Sequence, residues 1–274
     1  MTQIICLANS RKHEERCIAG INPQTGRWIR PIYSQYPDDG RVPQEIRFIN
    51  GEEPKILDLL DIPLENTGND FGFESENLNI SSGKWQRLNS IPASDLIQYC
   101  SDTPYILHNL SKYVNVSYLQ QLPFQKRCTL QLVYALRVIL KKEIRSTGIK
   151  WKGSLITKRG QQLTEAAITD PEFAKKLDNG YLPINPCLVT VSVSMPHRPS
   201  NWEGDDPCWK LIAGVIELSD TDLILVEMNR ISWTIEQGRN HLKQNYNKQS
   251  RQQLNSQEIQ EFLNFLKSHS PMNN

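Results

Sequence analysis

Short apolar runs separated by turn-forming residues dominate the first part of the chain. Three of these runs follow one another closely, contain β-branched residues and predict strands, at residues 3–8, 16–22 and 27–33. Residues 54–64 predict a fourth strand, and residues 71–80 extend the same sheet. A short helix is predicted at 92–100, where Pro, Ser and Asp stand at its start. The first part of the chain is therefore predicted to be a small β-rich unit.

A second β-rich unit follows a weakly patterned connection at 101–128. Every even position from Leu130 to Leu140 is apolar, which predicts one half-buried strand over 129–140. Residues 187–195 alternate in the same way, whereas residues 208–218 are apolar on both faces apart from Lys210 and predict a central strand. A single short helix is predicted at 169–177.

The C-terminal fifth is more polar and predicts helices. Residues 231–246 are compatible with a helix, and Asn255 and Glu258 have the spacing of a capping box for another. That last helix carries an apolar stripe formed by Ile259, Phe262, Leu263 and Leu266. The stripe either docks onto the rest of the protein or binds a partner protein, and these four residues are the candidate partner-binding residues.

These patterns predict a mainly β protein with two OB-like small barrels and a helical C-terminal tail. A β-sandwich is the alternative. The predicted domains are a first OB-like domain with a helical connection at 1–122, a second OB-like domain at 123–220, and a C-terminal strand and helical tail at 221–274.

Composition excludes some classes of function but does not select one. The chain has 31 Lys and Arg against 30 Asp and Glu, so any basic surface must be local. Six cysteines without a CxxC pair predict reduced thiols and neither a metal site nor a cofactor. With no basic leader and no apolar run of membrane-spanning length, we expect a cytoplasmic protein without a membrane partner.

Several strings resemble the bacterial dual OB domain-containing proteins: IICLANSRKHEERCIAGI, GRWIRPI and PKILDLLDIPL, then ITDPEF, VTVSVS and CWKLIAGVI. The resemblance covers about residues 3–218. It implies two OB-like barrels and a role in prokaryotic defence (anti-phage) systems, often beside NTPases, and no established catalytic residues. Glu14 and Glu15 stand where related sequences often have glycines, which lowers the local positive charge.

Two basic stretches are candidate nucleic-acid-binding sites. The first is the connection between the first two strands, with the strand that follows, and its candidate residues are Ser10, Arg11, Lys12, Arg16, Arg27, Trp28 and Arg30. The second lies at 141–159, where seven Lys and Arg accompany one Glu, and its candidates are Arg145, Lys150, Trp151, Lys152, Lys158 and Arg159. In a strand, Lys150 and Lys152 would lie on the face opposite the Trp151 ring.

The leading hypothesis is a non-catalytic module that binds single-stranded DNA or RNA through phosphate contacts and stacking. The resemblance adds a role as the sensing or targeting subunit of a defence assembly with an NTPase or nuclease partner. An adaptor that docks a protein through the C-terminal stripe is the second hypothesis. A metal-dependent nuclease is the third, with candidate carboxylates at Asp38 and Asp39, Asp58 and Asp61, Glu165 and Asp170, and Asp205 and Asp206. A small nucleotide is also compatible with the basic stretches.

Overall fold

Two β-sheets and a C-terminal group of helices make up the protein, whose computed structural model describes residues 1–101, 103–146 and 148–270. Each sheet contains antiparallel strand pairs and one parallel pair. Neither sheet closes into a barrel in the described part of the chain. The prediction of a mainly β protein with C-terminal helices is confirmed, whereas the two small barrels are two open mixed sheets.

The first sheet contains the predicted early strands. Its elements are β1 (Thr2–Lys12), β2 (Glu15–Ile21), β3 (Trp28–Ile32), the short helix α1 (Gln44–Arg47), β4 (Asp58–Ile62), β5 (Asn77–Asn79) and β6 (Gln86–Ser90). The strand order is β5-β3-β2-β1-β4-β6, so β1 and β2 lie at the centre. The short helix predicted at 92–100 is a 3₁₀ helix at Ala93–Tyr99.

The second sheet follows the connection. Its elements are β7 (Tyr113–Asn115), the helix α2 (Val116–Gln121), β8 (Leu130–Ala135), β9 (Arg137–Arg145), β10 (Gly148–Thr157), β11 (Gly160–Ile168), the helix α3 (Pro171–Asp178), β12 (Cys187–Val193) and β13 (Pro207–Glu217). The order is β8-β12-β13-β11-β10-β9, and β7 also pairs with β13. The apolar stretch at 208–218 is therefore a central strand, as predicted.

The stretch 129–140 is two strands and not one. The chain bends at Leu136, whose backbone N–H donates to the Ile156 carbonyl, and β8 and β9 pair with different neighbours. Period-two alternation continues through the bend, because each segment is itself a strand. The pattern alone therefore gives no sign that the segments lie at opposite ends of the sheet order.

The central strand of the first sheet is buried on both faces. Ile4 and Cys6 point into a core of the first sheet, whereas Ile5 and Leu7 point into a second core shared with the other sheet. Successive side chains of a strand lie on opposite faces, so a continuous apolar run is what this position requires. The shared core also contains residues of β8, β12 and β13, among them Leu132, Leu188 and Ile216.

The two sheets approach each other closely where β1 crosses β12 and β13. The Thr190 hydroxyl donates to the Leu7 carbonyl at 2.7 Å. A Cβ atom added to Gly214 would overlap the same carbonyl oxygen. Small side chains surround this crossing, with Ala8, Ala19 and Ala213 in one buried cluster. The crossing therefore depends on small residues on both strands.

This crossing explains why β12 lacks the polar outer face expected from its sequence. Thr190 is 1% exposed and Ser192 is 8% exposed, since the first sheet covers the face they occupy. The Thr190 hydroxyl satisfies its hydrogen-bonding capacity across the sheet contact. The polar side chains that alternate with apolar ones in β12 thus lie at the contact between the sheets and do not face solvent.

Lys210, a buried charged residue of the central strand β13, holds the connection in place. It is 2% exposed, and its Nζ donates to the carbonyl oxygens of Ile106 and Asn109, both at 2.6 Å. Burial lowers the pKa of Lys210 to about 8. The Lys210 amine thereby fixes the connection between the two β-rich units to the second sheet, because it donates to backbone oxygens of that connection.

Three helices follow the second sheet: α4 (Asp220–Arg230), α5 (Ile235–Tyr246) and α6 (Ser256–Ser268). The strand predicted at the start of the tail is wrong, because Ser219 and Asp222 form a capping box that starts α4. Asn255 and Glu258 form the predicted capping box of α6. In the described part of the chain, no helix has the length and apolar character that crossing a membrane requires.

The close approach of the sheets predicts a large cost for Gly214→Ala. The added methyl group must displace Leu7, so we expect the free energy of unfolding to fall by about 3 kcal/mol or more. Gly180→Ala is the control, because Gly180 has φ +85° but no neighbouring atom within 4 Å of an added Cβ. It should cost about 1 kcal/mol in backbone strain. Equal decreases in the free energy of unfolding for the two variants, measured by urea denaturation, would contradict the close approach of the sheets.

The buried amine predicts a pH effect that is measured against Lys210→Met. Below pH 8 the amine is protonated in both the folded and the unfolded state, so the stability difference between the two proteins stays constant. Between about 8 and the ordinary 10.5, the folded protein has released the proton while the unfolded chain holds it. The unfolding free energy of the unmodified protein should therefore rise there by about 1–3 kcal/mol relative to the variant. A constant or falling difference over this range contradicts the assignment.

Candidate nucleic-acid interface

The β1–β2 hairpin, the first candidate stretch, is largely occupied by internal contacts. Ser10 is buried, with its hydroxyl 3.5 Å from the Cys17 carbonyl oxygen. The Lys12 Nζ donates to the Asp39 carbonyl at 2.5 Å. Arg11 has an exposed side chain, but its backbone N–H donates to the Thr169 carbonyl at 2.8 Å. The hairpin therefore joins the first sheet to the second.

Acidic residues surround the arginines next to this hairpin. Arg47 donates to both carboxylate oxygens of Glu53 and also pairs with Glu15 of the hairpin. These hydrogen bonds outweigh burial and lower the pKa of Glu53. The Arg16 Nε lies 3.9 Å from Glu53, and burial lowers the pKa of Arg16. The positive charge of the hairpin is thus balanced locally.

Several of the segments that resemble the family line one cavity of about 480 Å³ beside the hairpin. Asn9 and Arg16 come from the hairpin, residues 52–56 precede β4, and residues 170–173 begin α3. Four carboxylates line the cavity together with three cations: Glu52, Glu53, Asp170 and Glu172 with Arg16, Lys55 and Lys176. This balance gives little net attraction for a polyanion, so the cavity is a poor phosphate site.

The candidates on the next strand differ in exposure. Arg27 is exposed, whereas Trp28 is half-buried and packs against the clusters shared by the two sheets. Arg30 is 2% exposed and pairs with Glu74 at 2.5 Å. The assignment of Arg30 to a solvent-facing binding surface is therefore corrected, because its side chain is buried at the contact between the sheets, whereas the assignment of the half-buried Trp28 stays a prediction.

Arg30 is the centre of a buried polar network at that contact. Its guanidinium donates to Asn77 Oδ1 at 3.2 Å and to the Thr129 hydroxyl at 3.0 Å. Burial alone would lower the pKa of Arg30, but the neighbouring Glu74 raises it overall. Glu76 accepts from the Thr129 backbone and hydroxyl, and its own pKa is raised because it is buried. The network links β3, the β5 segment and the start of β8.

The second candidate stretch forms a two-stranded arm. β10 pairs with β11 from Lys152 to Thr157, whereas its pairing with β9 runs from Gly148 to Ile156. The arm, formed by residues 142–145 and 148–151, therefore extends past the neighbouring strand. Arg145 ends β9, and its side chain lies outside what the structure describes.

One face of the arm combines a ring, a cation and two exposed apolar residues. Trp151 lies opposite Lys142, whose Nζ is 5.5 Å from the ring centroid. Ile149 lies opposite Ile144, and their exposed fractions are 48% and 83%. The Trp151 Nε1 donates to Asp178 Oδ1 at 2.8 Å, which fixes the orientation of the ring.

The opposite face carries lysines, as the sequence predicted for Lys150 and Lys152. Lys152 pairs with Glu143 at 2.5 Å, and Lys141 pairs with Glu165 at 2.6 Å. The hydrogen bond from Lys141 lowers the pKa of Glu165 and raises that of Lys141. The Lys141–Glu165 pair is the more exposed of the two, and ion pairs at the surface contribute little to stability, whereas Lys152 and Glu143 are only 24% and 22% exposed.

Lys158 and Arg159 lie away from the arm. They form the turn between β10 and β11 and are exposed. Seven residues of strand separate Lys158 from Trp151, which corresponds to roughly 20 Å. The structure therefore divides the second candidate stretch into an arm and a separate basic turn.

The C-terminal stripe packs inside the protein. Phe262, Leu263 and Leu266 are buried in a cluster with residues of α4 and α5, and Ile259 packs against that cluster. The Arg230 guanidinium also donates to the Leu266 carbonyl at the end of α6. The assignment of the stripe to a partner protein is corrected, because the other helices already cover it.

The carboxylates proposed for a nuclease have other contacts. Asp58 accepts a hydrogen bond from Arg87 at 2.7 Å, and Asp170 accepts from the backbone N–H groups that begin α3. Asp206 pairs with Arg198. In residues 1–101, 103–146 and 148–270, no cluster of three or more His, Cys, Asp or Glu side chains has the arrangement of a metal site.

Sequence reasoning missed three features of the site. The exposed Ile144 and Ile149 sit next to the lysines in sequence, but an apolar residue in a strand normally indicates core. Glu74 and Glu76 gave no signal, since a buried carboxylate cannot be distinguished from a surface one without its partner. The cavity at the hairpin could not be predicted, because the segments that line it are far apart in sequence. The positive count at 141–159 was the one signal that located the arm.

A family model and one curated relative match the sequence. The model of the dual OB-containing domain family matches residues 2–215, which include both sheets up to β13. An uncharacterized protein of Synechocystis sp. is 44% identical over 115 residues, which cover 40% of this chain and 39% of that relative. The match thus spans well under two thirds of the relative's length. No solved structure matches the chain.

The family model covers most of the chain, and the strings of β1–β2, β3, β4, β11–α3 and β12 fall within the match, which ends at Val215 inside β13. The helices α4 to α6 follow it. The chain therefore belongs to the dual OB-containing domain family.

Proposed function

We propose that the protein binds single-stranded nucleic acid through the arm of β9 and β10. The observation that supports this most strongly is the pairing of Trp151 with Lys142 on one face, with lysines on the other. A ring beside cations matches the two needs of a single strand, which are a surface for base stacking and charges for phosphates. The family membership supports an OB-type module, a class that often binds oligonucleotides.

The exposed isoleucines extend the stacking surface. Ile144 and Ile149 lie on the Trp151 face, one step closer to the tip. Exposed apolar side chains at the end of a strand pair are costly in water, and contact with a base removes that cost. A strand lying along this face meets Trp151 first and the isoleucines next, with its phosphates directed toward the flanking lysines.

The first hairpin has a secondary role in this proposal. Its cations are balanced by Glu15 and Glu53, and the buried Arg30 does not reach solvent. Arg11 and Arg27 are exposed cations outside the arm. We therefore assign base contacts to the arm alone.

The cellular role is a separate proposal. Membership of the family carries the expectation of a defence assembly in which this chain senses or targets nucleic acid. An NTPase or nuclease partner would then supply the chemistry. This expectation derives from the resemblance and not from the residues of the arm.

Trp151→Ala tests the stacking step. We expect affinity for labelled single-stranded DNA or RNA to fall by about tenfold or more in fluorescence anisotropy, because a stacked base contributes roughly 1–3 kcal/mol. Trp151→Phe keeps a ring while losing the bond to Asp178, so it should retain most of the affinity. Equal losses in both variants would show that the tryptophan acts through the fold, and unchanged binding by Trp151→Ala would contradict the proposal.

The lysines are tested by the salt dependence of binding. Replacing Lys142, Lys150 and Lys152 with alanine should reduce the slope of log affinity against log salt by about 2. The control variant replaces Arg239, Lys243 and Lys248, which lie on or just after α5, and should leave the slope unchanged. Loss of affinity in an Arg11→Ala/Arg16→Ala variant, with the arm variant unaffected, would locate binding on the first hairpin instead. Cleavage of the strand on addition of Mg²⁺ would favour the nuclease.

A further inference from the structure

The outer edge of β9 is open. This strand ends the strand order of the second sheet, and within residues 1–101, 103–146 and 148–270 no strand or helix lies along its outer side. The outer side of an edge strand presents N–H and C=O groups that can pair with a further strand. Proteins often keep such strands short, but β9 has nine residues. Its outer side is therefore a surface suited to strand pairing.

Exposed apolar side chains accompany this edge. Leu136, at the bend before β9, is 42% exposed, and Ile139 and Ile144 of the strand are 45% and 83% exposed. Apolar side chains beside an open edge are costly in water and favour a partner. Lys141 and Lys142 lie between these residues and are exposed. A strand that pairs here must therefore place no cation opposite them.

A second copy of β9 meets this condition in one register. The register is antiparallel, with a two-fold axis at Leu140, so that each residue lies opposite the one equally far from Leu140 on the other side. Lys141 then lies opposite Ile139 of the second copy, and Lys142 lies opposite Val138. Residues that are directly opposite in an antiparallel pair lie on the same face of the sheet. Each lysine of the edge thus has an apolar neighbour.

The ends of the same register are complementary in charge and polarity. Arg137 lies opposite Glu143 of the second copy, and it is exposed, with no side-chain partner in the part of the chain that the structure describes. Glu143 pairs with Lys152, but a carboxylate has about four lone-pair sites and can accept from an arginine as well. Leu136 lies opposite Ile144, so these two exposed side chains cover each other.

Neighbouring registers place like charges together. A shift of the axis to Ile139 brings Arg137 opposite Lys141 of the second copy. A shift to Lys141 brings this lysine opposite its own copy. Like charges directly opposite each other destabilise a strand pair. The charges of β9 therefore favour the register centred on Leu140.

We propose that two copies of the chain associate edge to edge through β9, in the antiparallel register centred on Leu140. The second sheets of both copies then form one continuous sheet, and the same strand supplies both sides of the interface. Strand pairing buries less surface than the roughly 1,600 Å² of a typical stable complex, so we expect a weak dimer with a Kd of about 1–100 µM. The dimer does not depend on nucleic-acid binding, because it uses the backbone edge of the arm.

Sedimentation equilibrium of the full chain, from about 1 to 500 µM, tests both the dimer and its register. Arg137→Glu places two acids opposite each other, and Glu143→Arg places two bases opposite each other, so each should weaken the dimer about tenfold or more. The double variant restores opposite charges and should return to within about threefold of the unmodified protein. Arg239→Glu makes the same charge change at an exposed position of α5 and should have no effect.

Ile144→Ser separates association from folding. Because Ile144 is 83% exposed in the single chain, its loss should weaken the dimer and leave the thermal midpoint of the dilute protein unchanged. Ile184→Ser is the control, since Ile184 is 90% exposed and lies outside β9. Trp151→Ala should dimerise normally, so failure of the dimer and failure of nucleic-acid binding give different results.

Two results would overturn the proposal. The first is a chain that stays monomeric at about 500 µM, well above the expected Kd; the basic edge would then suit a strand from an acidic partner protein instead. The second is a double charge variant that dimerises no better than Arg137→Glu or Glu143→Arg alone, because the register centred on Leu140 would then be wrong.

Discussion

The crossing of β1 over β12 and β13 is the contact on which the rest of the structure depends. At this point the Leu7 carbonyl accepts the Thr190 hydroxyl and lies against Gly214, where a larger residue would not fit. Because the second sheet covers one face of the first sheet at this crossing, the first sheet has buried apolar side chains on both faces. It also fixes the β1–β2 hairpin against the start of α3, since Arg11 bonds to Thr169 there.

That contact determines which basic residues remain available for a ligand. Residues near the crossing are held in ion pairs or networks, as Arg30 is with Glu74 and Arg47 is with Glu53. Removing one member of such a buried pair would leave an uncompensated charge, so these pairs have structural roles. The arm lies at the far edge of the second sheet, where Lys152 and its partner Glu143 are both partly exposed. The cations proposed to bind a ligand are therefore those of the arm, at the edge of the second sheet, and not Arg30 in its buried network.

Much of the fold could be predicted from periodicity, because strands and capped helices leave local signatures. The central position of β13 and the capping box of α6 are examples in which a local pattern was sufficient. The break at Leu136 and the burial of Thr190 could not be predicted, since both depend on partners distant in sequence. The start of the tail was misassigned because an apolar run in α4 fits a strand equally well.

The sequence predicted which stretch of the chain carries an excess of positive charge, but it did not predict which of the basic side chains are exposed. Counting cations identified the stretch that contains Lys150 and Lys152, and strand geometry placed both on one face. The same counting grouped Arg30 with Arg27, although one is buried and the other exposed. Charge in a sequence does not reveal its counter-charge, and Glu74 lies far from Arg30 along the chain.

We propose that nucleic acid contacts the arm and not the first hairpin. Hydrogen–deuterium exchange of the full chain, with and without a saturating single-stranded oligonucleotide, tests it most directly. We expect slower exchange on binding in peptides that cover residues 141–152, and no change in peptides that cover residues 9–20. Protection of residues 9–20 with unchanged exchange in the arm would contradict the account.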